Sequence, residues 1–252
     1  MTRQRLYQTE AIIIKKTKLG EADCILTFCT PHLGKIQGFA KSLRKPKSKM
    51  AGHLELLTHS MVSFARGKNI DMVVGAQTID SFLPLKSDLD LSSRALYVIE
   101  LVAQFSADNQ ENYTIFRLLL DTLDRLVREN DKELVMRSFE MRLLEAAGYR
   151  PQLQHCLSCH TALQPVPNAF CATAGGMMCP ECARTQPLAY PLSVNAQKVL
   201  RLLQADDFSI ISRLKLPPEL AVELESVIRN YLRYLLERDL KSVAWLDTLK
   251  HI

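Results

Sequence analysis

Apolar positions between Tyr7 and Leu83 come in short runs set against polar ones, with a period near two. Ala11–Ile14, Cys24–Cys29, Lys35–Ala40, Ser60–Ala65 and Met72–Ala76 are brief and rich in β-branched or aromatic residues, which favours extended strands. Gly20, Pro31 with Gly34, Gly52 and Gly67 fall in or near the gaps and supply turn chemistry. About five strands in some 75 residues is the scale of a small Greek-key barrel such as an OB-fold. Sandwich pieces of the same size satisfy the spacing equally.

After Pro84 the period lengthens to about 3.6. Leu96, Ile99, Val102 and Phe105 mark one helix, and Phe116, Leu119, Leu120, Leu123 and Val127 a second. Val135, Phe139, Leu143 and Ala146 mark a third, which Gly148 is placed to end. These stripes read as the core of a small helical bundle rather than as a cofactor box. Residues 150–191 lose the helical period and gain Cys, Pro and Gly. Helix resumes after Ser193, a good N-cap, with Val199, Leu200 and Leu203 on one face. A long final helix opens after Pro217 and Pro218, with Leu220, Leu224, Val227, Ile228, Tyr231 and Leu235 at helical spacing. The expected class is α+β in two domains. A five-stranded OB-fold barrel occupies residues 1–83, and an all-helical domain occupies 84–252, interrupted by a cysteine-rich insertion at about 150–191.

Composition narrows the function. The 252 residues are 47% hydrophobic and 23% charged, which supports a real core and excludes wholesale disorder, collagen or a coiled-coil rod. No apolar run approaches the roughly 20 residues of a membrane helix. Met1–Glu10 is polar, without the apolar stretch of a signal peptide, so a soluble chain retained in the cytosol is expected. The net charge of +5 is unevenly placed: residues 1–85 carry 13 Lys/Arg against 6 Asp/Glu, and the remainder 19 against 21. A basic front half implies a polyanion partner there.

Seven cysteines, an odd number, fit poorly with a fully paired disulfide framework. Four form two C-x-x-C pairs, Cys156/Cys159 and Cys179/Cys182, separated by 19 residues. Two thiolates three positions apart can face one ion from a tight knuckle. A second knuckle returning from a hairpin, with Gly175 and Gly176 at its turn, completes a tetrahedron of soft ligands suited to one zinc ion. Four thiolates leave no open position for water, so the site is expected to be structural. His155 and His160 flank the first knuckle as neighbours, Cys171 is spare, and Cys24 and Cys29 are separate thiols. A thioredoxin-like pair would need one C-x-x-C beside a βαβ unit, and a zinc deaminase would need an open coordination position that four thiolates do not leave.

Lys41, Arg44, Lys45, Lys47 and Lys49 place five cations in nine residues with no acid among them. Interleaved Ser and Pro favour an exposed loop. Lys35 lies just upstream, and Arg66 and Lys68 come near if the strands close a barrel. Phe28, Phe39 and Phe64 are candidate base-stacking platforms, although a strand phenylalanine more often belongs to the core. Such a surface binds phosphates with little sequence preference, and single strands suit it; a solvated loop without ligand is the plainer alternative. Phosphate-loop, nucleophile-elbow and H-E-x-x-H motifs are all absent, and Glu21 with Asp23 lack the partners of a nuclease site.

The stretch from Ile12 to Leu57 resembles the opening of the bacterial RecO family of recombination mediators. Its marks are Gly20-Glu21-Ala22-Asp23, Thr30-Pro31 with Gly34-Lys35, and Arg44-Lys45-Pro46-Lys47-Ser48. The two cysteine knuckles, after a helix ending Ala146-Ala147-Gly148-Tyr149, sit where that family carries zinc-binding cysteines. One departure is Ser42-Leu43, where the family often has Gly-Ala. The resemblance spans nearly the whole chain. It implies an N-terminal OB-fold, a helical domain holding structural zinc, and binding to single- and double-stranded DNA. It further implies annealing of complementary strands, partnership with RecR and the single-stranded-DNA-binding protein SSB, and loading of RecA on gapped DNA, all at the nucleoid. On that basis Lys35, Lys41, Arg44, Lys45, Lys47 and Lys49 would meet phosphates, and barrel closure would add Arg66 and Lys68 to the DNA-binding set. Two rival classes fit the residues: a zinc-stabilised OB protein that binds RNA, and a zinc-dependent enzyme acting on nucleic acid.

Overall fold

The computed structural model describes residues 5–205 and 208–249. Five strands come first, β1 (Leu6–Leu19), β2 (Asp23–Thr30), β3 (Gly34–Ala40), β4 (His59–Ala65) and β5 (Asp71–Asp80). Helices α1 (Leu83–Ser87), α2 (Leu89–Phe105), α3 (Tyr113–Arg128) and α4 (Lys132–Ala146) follow. The cysteine-rich stretch contributes β6 (Asn168–Cys171), β7 (Gly176–Met178), α5 (Pro180–Ala183) and β8 (Ala189–Leu192). The chain ends with α6 (Val194–Gln204), α7 (Phe208–Ile211), α8 (Pro218–Leu236) and α9 (Lys241–Leu249). No described helix is long and apolar enough to cross a membrane.

The five expected strands close a barrel in the order β1-β2-β3-β5-β4, as an OB-fold does. β1 makes the closure possible. Its first half, Leu6–Ile12, pairs with β4, and its second half, Ile12–Leu19, pairs with β2. A bulge between Ile13 and Lys15 bends it from one partner to the other. Inside lie Ile13, Leu26, Phe28, Val62, Phe64 and Val73, with Leu43 and Leu54 reaching in from the β3–β4 connection. Phe28 meets Phe64 edge to face at 5.3 Å. A Cβ on Gly38 would stand 2.8 Å from the Phe64 ring and 3.1 Å from that of Phe28, so β3 must carry glycine there.

The compact unit built on this barrel does not stop where the sequence period changes. It runs through α1, α2 and α3 to Val127 and takes in α9, while the second unit spans Arg128–Leu240. α2 starts on Asp88, whose carboxylate accepts from the Leu91 amide at 2.9 Å, and it packs against β1, α1 and α9. Being covered on several sides, it buries Val98, Ile99, Leu101 and Val102, whereas Leu96, on the expected stripe, is 41% exposed. α9 was not foreseen; Glu100 fixes its start by accepting from the Lys241 and Ser242 amides and the Ser242 hydroxyl.

In the second unit α4, α6 and α8 pack on one another. Asp131 caps α4, and Gly148 follows its end at φ +83°. Ser193 caps α6, accepting from the Ala196 amide at 3.1 Å while its hydroxyl donates to Glu223 at 2.7 Å. The insertion expected from loss of period is a three-stranded antiparallel sheet, β7-β6-β8, with its hairpin turning at Gly175, φ +82°.

Candidate nucleic-acid interface and metal centre

The basic run lies in the β3–β4 connection and folds against the β1–β2 turn. Three hydrogen bonds hold it: the Ser42 amide donates to Asp23 at 2.6 Å, the Arg44 amide to the Ala22 carbonyl at 2.8 Å, and Arg44 Nη1 to the Gly20 carbonyl at 3.1 Å. Ser42 takes φ +54°, a conformation that favours glycine, and the Asp23 contact holds it there. Leu43 then plugs the barrel at 1% exposure. One residue past that plug, the side chains of Arg44, Lys45, Lys47 and Lys49 are exposed, as is Lys41 before it. Anchorage to the turn brings the loop to the end of β1 that carries the exposed Lys18. That lysine did not stand out in the sequence; the turn contact is what adds it. Asp23, read as half of an idle acidic pair, is the anchor.

The remaining expected contacts are differently engaged. Lys35 donates to the Ala103 carbonyl at 2.8 Å, lies 3.3 Å from Asp108, and has a side chain only 17% exposed. Arg66 stands 4.6 Å over the Tyr7 ring and 3.9 Å from Asp71. Lys68 is exposed in the β4–β5 turn. Phe28 and Phe64 are fully buried in the barrel, and Phe39 is half-buried on β3 between Ile25 and Met72.

In the second unit the two knuckles converge. The Sγ atoms of Cys156, Cys159, Cys179 and Cys182 all lie within 4.8 Å of one another, with Cys159 and Cys179 3.9 Å apart, a set compatible with one metal ion. The first knuckle is shaped by the His160 amide donating to the Cys156 carbonyl and the Cys156 amide to that of Thr161. The second opens on α5, where Pro180 starts the turn and the Ala183 amide returns to the Cys179 carbonyl. Burial alone would raise the Cys156 thiol, but N–H groups at Cys159, Cys179 and Ser158 outweigh it and bring it down to about 6. Cys182, bonded toward Cys179, is pushed up to about 12. Thiols sharing protons this closely release them to a metal on binding. Cys171 is buried beside the four, bonded to Thr173 at 3.1 Å, and none of the seven cysteines forms a disulfide.

Comparison with known proteins matches residues 1–82 to the family described as Recombination protein O N terminal, and residues 86–244 to Recombination protein O C terminal. The chain belongs to the RecO family. A DNA repair protein RecO of Dehalococcoides mccartyi is 51% identical over 99% of this chain and 98% of its own length. Proteins of the same name from a Roseiflexus species and Symbiobacterium thermophilum are 41% and 30% identical, over 99% and 97% of this chain and 88% and 98% of theirs. The barrel corresponds to the RecO N-terminal domain, and the four-cysteine cluster falls within the RecO C-terminal one. Family membership makes the chain a DNA repair and recombination protein.

Proposed function

We propose that this chain is a non-enzymatic mediator that binds single- and double-stranded DNA and anneals complementary strands, working with SSB and RecR to load RecA on gapped DNA. The observation that carries the reading is the anchored basic loop. Lys41, Arg44, Lys45, Lys47 and Lys49 stand on a stem fixed by Asp23 and Leu43, against the turn that follows Lys18. Two DNA strands repel each other through their phosphates, and a cluster of cations that displaces condensed counterions lowers that repulsion without bond chemistry. No nucleotide is required for such a step. Lys35 contributes less to it, because Asp108 and the Ala103 carbonyl already hold its ammonium.

The ion in the second unit is zinc. Zn–S bonds of about 2.3 Å in a tetrahedron put sulfurs roughly 3.8 Å apart, close to the 3.9 Å between Cys159 and Cys179. With four thiolates the shell is full, so the ion secures the fold and leaves partner docking to the helices around it. The protein works in the cytoplasm, at the nucleoid.

Alanine at Lys41, Arg44, Lys45, Lys47 and Lys49 together tests the reading. Each phosphate contact on a single strand contributes about 0.7 to the slope of log affinity against log salt, so the slope should flatten by up to about 3.5. An unchanged slope would remove the loop from the interface.

A further inference from the structure

The barrel's unit holds a cleft of about 570 Å³ apart from the cationic loop. It opens where the barrel seam is shortest: β3 and β5 pair only at Gly38–Asp71 and Phe39–Met72, so Lys35–Gln37 line it opposite the β4–β5 turn. One wall is a ladder of planes rising from the core. The Phe64 ring is fully buried, and Tyr7 stacks on it with centroids 5.0 Å apart and planes 12° apart. The Arg66 guanidinium lies 4.6 Å over Tyr7, on the face Phe64 leaves free, with its side chain 46% exposed. Asp71 sets the ladder, accepting from the Tyr7 hydroxyl at 2.7 Å and the Gly67 amide at 2.9 Å beside the guanidinium. A second planar pair lines the cleft through His32, which stacks on Tyr113 at 5.8 Å and 15°.

Charge decides what fits. Among the described lining residues the cations Lys35 and Arg66 each face a carboxylate, Asp108 and Asp71. A phosphate entering here would meet those carboxylates and gain little from cations already paired. A neutral planar group with donors and acceptors on its edge suits the place, since the amides of Gln37, Asn69 and Asn109 line it. A guanidinium seated over an aromatic ring, with its side chain half-exposed, is a planar group open to stacking by a base. We propose that the cleft receives one unstacked nucleobase of single-stranded DNA, with Arg66 as its stacking platform and the amides at its edge. The inference rests on the DNA-binding reading above and divides the work: the loop takes phosphates, the cleft takes a base. A paired duplex cannot offer that base, so the cleft favours single strands.

The test compares oligo(dT) with an abasic strand of the same length and charge. The parent protein should bind oligo(dT) about tenfold more tightly, within the range of one base–platform stack. Arg66→Ala and Arg66→Lys should both lose that preference, the lysine variant with the salt slope of the parent, because it keeps the charge and loses the plane. Retained preference in Arg66→Lys would overturn the platform. Equal binding of both strands by the parent would overturn the cleft and leave the electrostatic reading standing. Binding of neither strand would overturn the DNA reading and this inference with it.

Discussion

The barrel and the cysteine module each hold a small sheet together, by different means. The barrel closes its ladder of hydrogen bonds on itself and fills the interior with twelve buried side chains among the described residues. The module has three strands of three or four residues; β6 and β7 are buried along their length, with Phe170 edge-on to Tyr231 at 5.4 Å, but the cluster around the knuckles is only Cys156, Cys171 and Met178. Sheets so short do not sustain themselves in water, and knuckles with so small a cluster need another tie. A barrel secured by its core can leave cations outside for a ligand. In the module the four thiols are turned toward one another, and their chemistry goes into holding the fold.

The largest expected effect strikes the module. Chelation, or Cys179→Ser, should release the ion and with it a contribution on the order of 10 kcal/mol. Amide exchange across residues 150–192 should then become fast while β1–β5 keep their protection. Persistent protection in the knuckles without metal would break the contrast, because the module would then have a sufficient core of its own. The barrel's counterpart is Phe64→Ala, which should cost about 3–5 kcal/mol in denaturant unfolding, since Phe64 packs against Phe28 and Tyr7 at full burial. A loss below about 1 kcal/mol would mean that closure of the ladder, rather than filling, holds the barrel.

A smaller effect sharpens the picture of the barrel's wall. His59 is 6% exposed, its ring meets Phe116 of α3 edge-on at 6.0 Å, and Nε2 lies 3.3 Å from Glu10. Burial holds it below its ordinary 6.5, outweighing the pull of Glu10 and Asp80. The unfolded chain therefore takes up a proton before the folded one does. Stability is complete above pH 6.5 and falls as the pH drops from there through the folded value. Urea midpoints across that range should show the decline, and His59→Gln should flatten it. An identical curve in the variant would assign the acid sensitivity to other groups.

Much of this was legible in the chain, and what was not has physical reasons. The five strands could be read because each needs only its own apolar run, and the clustering of the four cysteines because C-x-x-C spacing is a local demand of the knuckle. The caps at Ser193 and Gly148 were visible for the same reason. β1 was foreseen only as Ala11–Ile14, since its polar flanks are held extended by β4 and β2 rather than by their own preference. The sheet inside the insertion was hidden by strands too short to show a period. The seat of Arg66 over Tyr7 joins positions far apart in sequence that only barrel closure brings together. Phe28 and Phe64 bear on the same point: their interior direction follows from the pleat, and the exposed aromatic chemistry passes to Tyr7 and Arg66 above them.

The most direct measurement is annealing of complementary single strands coated with the cognate SSB, in the absence of nucleotide. The account predicts that the chain accelerates pairing over the SSB-only reaction, and that alanine at the five loop cations abolishes the acceleration while leaving the four cysteines metallated. Strand pairing no faster than with SSB alone, or equally fast with the loop neutralised, would contradict it.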